Sequence, residues 1–360
     1  MNQMFRFDTD RAAAFEGRMV SMLNEGALVL MTSVGYRTGL FDTMAAMGPA
    51  TSAEIAVRAR LAERYVREWL GAMTVGRMVE HDHETGTYTL PAEHARFLAR
   101  DGGGANLAMG AQMLPILAAV ETDVVECFRN GGGVPYEKFE RFHEAMMEES
   151  GQTVLPVLVD QILPLAPEIV GRLQAGARAL DVGCGRGRAL NLMAEAFPKS
   201  RFVGYDLSLE AVEFARAEAR RKGLVNVEFQ VRDVTDLDRT AELGAFDLVT
   251  TFDAVHDQAD PLAVLKGIRR ALKADGVYIC QDIKGSCHHH GNMDHPMAPF
   301  LYTISTMHCM TVSLAQGGAG LGTMWGCETA LAYFAEAGFS HSTMHELEHD
   351  EMNVYYVCRP

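Results

Sequence analysis

Between Asp181 and Gly187 the chain reads Asp-Val-Gly183-Cys-Gly185-Arg-Gly187, closing a short apolar segment just before a helical pattern starts. Glycines at such a junction let a ligand approach the backbone and meet the free N–H groups of a helix N-terminus. Nineteen residues beyond Gly187, the apolar segment from Arg201 ends at Asp206, where a carboxylate accepts hydrogen bonds from a ribose diol. Asp233 closes the next segment, VEFQVRD, and there a carboxylate can accept from an adenine amino group. Any one of these acids can instead cap the helix that follows it. Three at successive segment ends point to a nucleoside.

Charge selects the nucleoside. A dinucleotide would lay its pyrophosphate on this loop, where Asp181 opposes it, and the spacing is G-x-G-x-G rather than G-x-G-x-x-G. S-adenosylmethionine (SAM) carries no phosphate, and an anionic site favours its ammonium and sulfonium. SAM is therefore the expected cofactor. Its expected contacts are Asp181, Gly183, Gly185, Gly187, Asp206, Leu207, Asp233, Val234, Phe252 and Asp253.

A fourth apolar segment, Phe246 to Asp253, is followed by His256-Asp257. A histidine just past that segment faces the same crevice, and its pKa near 6.5 suits it to accept a proton. Capping or packing of the next helix is the competing role for His256, and Asp253 or Asp282 could orient the ring. Further on come Cys287-His288-His289-His290, Asp294-His295 and His308-Cys309. Three consecutive histidines cannot all face one ion and no standard ligand spacing occurs, so no metal is expected. The Met- and aromatic-rich stretch from Met297 to Leu314, ending in glycines between Gly317 and Gly322, reads as a lid or wall over an acceptor.

The elements that position these residues alternate strand and helix from Ala177 onward, the pattern of an open, mainly parallel sheet covered on both faces. Its last strand is expected over Asn353 to Cys358, paired with His345 to His349. Ahead of it, Arg11 to about Met47 reads as helix, apolar around much of its circumference and so expected to be buried, against a second subunit if not within the chain. Helices over about 52–59 and 62–75 then lead to a hairpin turning at Glu84 to Gly86, the order of a winged helix. Residues 49–100 hold seven basic and seven acidic residues, so a packing or dimerisation role is expected there rather than DNA reading. Three helical patterns follow, at 107–127, 136–149 and 153–163. The Gly35-Tyr36-Arg37 stretch reads as a loop reaching toward the site.

Asp181 to Gly187, Tyr205-Asp206, Arg232-Asp233 and the run from Phe246 to Asp282 together resemble the motifs of class I SAM-dependent methyltransferases. With the winged helix, nearly the whole chain resembles small-molecule O-methyltransferases that dimerise through that domain. The resemblance implies an α/β fold: a Rossmann-like methyltransferase domain with a mainly parallel seven-stranded sheet, preceded by an α-rich winged-helix domain. The expected boundaries are 1–100 for the winged-helix region, 101–175 for a helical linker and cap, and 176–360 for the SAM-binding domain, with a lid at about 285–325. It also implies a homodimer, a small-molecule methyl acceptor and His256 as the base of a His-Asp pair, although Gln258 stands where an aromatic residue commonly follows.

Composition narrows the partners. Thirty-two Lys and Arg against 47 Asp and Glu give a formal charge of −15, which repels phosphate backbones and anionic lipid, so neither nucleic acid nor membrane is an expected partner. No apolar run spans a bilayer, and the N-terminal stretch lacks the apolar core of a signal peptide, giving a cytoplasmic expectation. The seven cysteines contain no C-x-x-C and are expected as free thiols. Two other readings compete with the methyltransferase. One is a SAM-responsive winged-helix regulator that binds DNA without methyl transfer; the other is a dinucleotide oxidoreductase, which Asp181 opposes.

Overall fold

The computed structural model describes residues 7–360, and the chain divides into two compact units between Pro115 and Ile116. Residues 1–6, which begin the N-terminal stretch read above for a signal core, lie outside the described residues.

In the first unit, α1 (Thr9–Thr38) begins on Asp8, whose carboxylate accepts from the N–H groups of Asp10 and Arg11. The helix expected to run to Met47 stops at Gly39, whose φ of 71° ends α1 before α2 (Leu40–Ala45) restarts the path. Burial is confined to the C-terminal end: Tyr36, Phe41 and Met44 are buried, whereas Phe15, Met22 and Leu23 are exposed. Residues 35–37, read as a loop, are helical within α1. Thr51 and Glu54 form a reciprocal capping box on α3 (Ser52–Ala59). The next helix, α4 (Glu63–Val75), turns Val66, Trp69, Leu70 and Met73 into the core, and the Trp69 indole donates to the Met31 carbonyl at 2.8 Å. The hairpin pairs β1 (Glu80–Asp82) with β2 (Thr87–Thr89), and α5 (Ala92–Leu98) follows. This is the expected winged helix.

The pattern at 107–127 is three short helices, α6 (Leu107–Gly110), α7 (Met113–Ala118) and α8 (Glu121–Asn130). Pro115 lacks the N–H that a continuous helix needs there. The pattern at 136–149 also splits, because Arg141 takes a left-handed φ of 66° before α9 (Phe142–Thr153). Residues 158–165 form one π turn and one 3-10 turn rather than a regular helix, and α10 (Pro167–Ala175) leads into the sheet.

The sheet domain runs β3 (Arg178–Val182), α11 (Arg188–Ala196), β4 (Arg201–Asp206), α12 (Leu209–Arg221), β5 (Val227–Val231), α13 (Leu237–Thr240), β6 (Phe246–Phe252), α14 (Pro261–Ala271) and β7 (Leu272–Ile283). It continues through α15 (Ala298–Ile304), α16 (Met310–Ala315) and α17 (Gly326–Glu336) to β8 (His341–Leu347) and β9 (Asp350–Arg359). Strand order is β5-β4-β3-β6-β7-β9-β8, parallel except where β9 pairs with β7 and β8. Alternate strand residues feed two cores, one per face. Leu180, Val249 and Tyr278 enter one, and Ala179, Leu248 and Val277 the other. The direction of strand succession reverses between β3 and β6, which opens a crevice at their carboxyl ends. Among the described residues no single helix is long and apolar enough to cross a membrane.

Candidate active site

The crevice is a cavity of about 400 Å³, and every residue expected to hold cofactor lines it, as does His256. Asp233 differs in detail. Strand β5 ends at Val231, so Asp233 lies two residues past the strand, where it accepts from the Thr235 N–H and hydroxyl.

The glycine loop is fixed by sterics and by Asp206. Gly183 has φ 72°, and a Cβ there would lie 2.6 Å from that of Ala254; Gly187 has φ 68°, and its Cβ would meet Phe229 at 2.4 Å. Only glycine combines that backbone with that approach. Asp206 accepts from the Gly185 N–H and from the Ser208 N–H, both at 2.8 Å. The carboxylate thus ties the loop to the end of β4 and still has lone pairs available. Asp181 is buried and accepts from the Thr250 hydroxyl at 2.8 Å.

His256 is buried, with Nδ1 2.8 Å from Asp282 Oδ1 and 3.7 Å from Asp253 Oδ1. Of the two candidate orienters, Asp282 makes the hydrogen bond. The same oxygen accepts from the Trp325 indole at 3.0 Å and from the Ile283 N–H at 2.8 Å, so its position is held from three sides. A carboxylate can only accept, which places one proton on Nδ1 and makes Nε2 the nitrogen that gains or loses the other. Burial works to lower the imidazole pKa, but Asp282 and the hydrogen-bonded Cys309 thiol outweigh it and raise it well above the ordinary value. Asp253 takes a left-handed φ of 54°, and its buried Oδ1 has no hydrogen-bond partner among the described residues.

Four acids lining the cavity are raised chiefly by burial: Asp253 to about 6, Asp181 and Asp257 to about 7, and Glu149 to about 8. Mutual repulsion adds to this, as between Glu149 and Asp253. Such a cluster is relieved by a cation. The unpartnered oxygen of Asp253 and the backbone cradle at Gly183 to Gly187 therefore fit SAM, with its ammonium and sulfonium.

Sequence reasoning missed one wall. Helix α9 and the turn before it contribute Tyr136, Phe142, His143, Met146, Met147 and Glu149 to the cavity. Arg188, beside the glycine loop, donates to the Met147 carbonyl at 3.1 Å and docks this helix. Phe142, Met146 and Glu149 stand at the three- and four-residue spacing of one helix face, a signal present in the sequence. From the expected lid, the cavity takes only His308, Cys309, Val312 and Gln316. Tyr302 instead packs with Ile283, Leu301 and Met324, and its hydroxyl accepts from Asn292 at 3.0 Å. His288 and His290 stack on each other at the surface, whereas His308 lines the cavity, so these histidines serve separate places. Asp253, His256 and Asp282 hold their donor atoms within 4.8 Å of one another, a spacing that orienting the histidine accounts for.

Known proteins resemble this chain in sequence and in fold. Residues 26–100 match an Rv2258c-like winged HTH domain, and residues 173–316 match a methyltransferase domain. A ubiquinone biosynthesis O-methyltransferase of Xanthomonas axonopodis pv. citri (strain 306) is 36% identical over 104 residues, which are 28% of this chain and 41% of that protein. The chain therefore spans about two fifths of the length of this curated relative. Two solved structures share the fold across nearly the whole chain. The mitomycin 7-O-methyltransferase MmcR has a TM-score of 0.64 at 18% identity, covering 98% of this chain and 100% of its own. Human N-acetylserotonin methyltransferase, solved in complex with SAM, has a TM-score of 0.63 at 15% identity, covering 100% and 99%.

Sheet order and the family match together define a Rossmann-like methyltransferase domain. The chain thus joins an Rv2258c-like winged HTH domain, over residues 26–100, to a methyltransferase domain, over residues 173–316.

Proposed function

We propose that this protein transfers the methyl group of SAM to a small organic acceptor by in-line displacement, with His256 as general base. The observation that carries this reading is the buried His256–Asp282 pair at 2.8 Å, in the same cavity as the glycine loop and the strand-end acids. Bound SAM supplies an electrophilic methyl group together with its own leaving group. The residues do the rest. The backbone of Gly183 to Gly187 receives the cofactor closely, Asp206 accepts from the ribose diol, and Asp233 accepts from the adenine amino group. Leu207, Val234 and Phe252 supply apolar contact, and Asp181 and Asp253 offset positive charge. Holding donor and acceptor in line can contribute up to about 7–11 kcal/mol. His256 then takes the acceptor's proton on Nε2, and Asp282 stabilises the imidazolium. The named activity of the O-methyltransferase relatives favours a hydroxyl as the methylated group.

A homodimer completes the reading. Helix α1 exposes Phe15, Met19, Met22, Leu23, Leu30 and Val34 within one continuous helix, an apolar surface that a second copy would cover.

Transfer of labelled methyl from SAM to a library of small hydroxylated acceptors tests the proposal. His256→Ala should slow transfer at least about tenfold while SAM affinity stays intact, since a general base contributes about 10²–10⁴ in rate. Turnover at the wild-type rate would remove His256 from the mechanism.

A further inference from the structure

His308 sits on a π-helical turn, Ser305–Cys309, between α15 and α16. Such turns insert a residue into a helix and concentrate at functional sites. The ring is 0% exposed and stacks on Phe142 at 3.6 Å between centroids, with Phe139 and Tyr136 edge-on at 4.6 and 5.3 Å. Neither ring nitrogen has a hydrogen-bond partner among the described residues, yet the ring lines the cavity.

That combination is costly unless something answers it. A buried polar atom without a partner is unfavourable, and a leucine or phenylalanine would fill this aromatic nest at no such cost. Burial, reinforced by His256 and His143 nearby, drives the His308 pKa down to about 3, so the ring is neutral at physiological pH. A neutral imidazole offers one donor and one acceptor. Tyr136, Phe139 and Phe142 bring no ion to pair with a charged group, and the acids elsewhere in the cavity disfavour an anion.

We propose that His308 is a specificity-determining residue that reads a second, uncharged hydrogen-bonding group on the methyl acceptor. This rests on the methyl-transfer reading and narrows it. The acceptor is an uncharged molecule with at least two polar substituents, one presented to His256 and the other, a hydroxyl or carbonyl oxygen, to His308.

The test pairs phenol with catechol, resorcinol and hydroquinone as methyl acceptors, using labelled SAM and the full-length protein. Wild-type protein should prefer one diol over phenol by about tenfold or more in kcat/KM, the scale of one hydrogen bond to an otherwise unpartnered group. His308→Leu should bring that ratio to about one, and His308→Asn should restore part of it. A thermal melt of His308→Leu no lower than wild type would show that the fold does not need the imidazole. Equal use of phenol and all three diols by the wild type, or a preference that survives in His308→Leu, overturns the proposal while leaving methyl transfer standing. Labelling of none of the four probes by SAM-bound protein overturns it together with the methyl-transfer reading for such acceptors.

Discussion

Replacing Asp206 probes the cofactor reading without any knowledge of the acceptor. Its two oxygens hold the Gly185 and Ser208 N–H groups at 2.8 Å each, so a ribose diol would meet a carboxylate already oriented by the backbone. A charge-assisted hydrogen bond is worth about 1.5–3 kcal/mol, which is about one to two powers of ten in Kd. Asp206→Ala should therefore weaken S-adenosylhomocysteine binding by that factor in titration calorimetry. Loosening of the glycine loop would also weaken binding, so the contact is isolated with 2′- and 3′-deoxy analogues in a double-mutant cycle. Wild-type protein should lose affinity when a hydroxyl is removed, whereas Asp206→Ala should lose little more. Fully additive losses, or a Kd for Asp206→Ala within about twofold of wild type in a folded protein, would show that Asp206 does not touch the ribose.

Three further outcomes are expected. The raised acids at about 6 to 8 ionise to meet a cation, so SAM affinity should climb and protons be released as pH rises from 6 to 8. S-adenosylhomocysteine, lacking the sulfonium, should respond less. Because these carboxyls bind protons more tightly folded than unfolded, their contribution to stability in the free protein falls as pH rises from about 4 through those values. Calorimetry in buffers of different ionisation enthalpy and melting curves against pH check both, and pH-independent SAM binding would refute the cation argument. Asp282→Asn should cost most of the about 10²–10⁴-fold contributed by the base and move the rise of rate with pH downward, because the Asp282 charge holds the His256 pKa up. An unchanged pH–rate profile would contradict that role. Finally, Leu23→Glu on α1 should convert a dimer to monomers in light scattering, and a wild-type protein that is already monomeric would dismiss the dimer.

Features built from neighbouring residues were readable in the chain. The glycine loop depends on backbone sterics over seven residues, from Asp181 to Gly187, and the strand-end acids on the two-residue period of a strand meeting a helix. Thr51 and Glu54 form their capping box within a single turn. His256 was found for the same reason, since the end of β6 announces it. The boundary errors also have local causes, at Gly39, Pro115 and Arg141, where one residue's φ or missing N–H outweighs a helical pattern.

What only the tertiary structure decided is which distant groups meet. Asp282 rather than Asp253 bonds His256 because β6 and β7 lie side by side and Trp325, 43 residues further on, holds the carboxylate in place. The stack of Phe142 on His308 and the docking of α9 through Arg188 join segments whose separation carries no periodic signal. A nearest-neighbour rule reaches only as far as the next turn of backbone. Closing a cavity from several distant stretches of chain is decided by packing, and so is whether a histidine ends up at the surface or as an unpartnered ring lining the cavity.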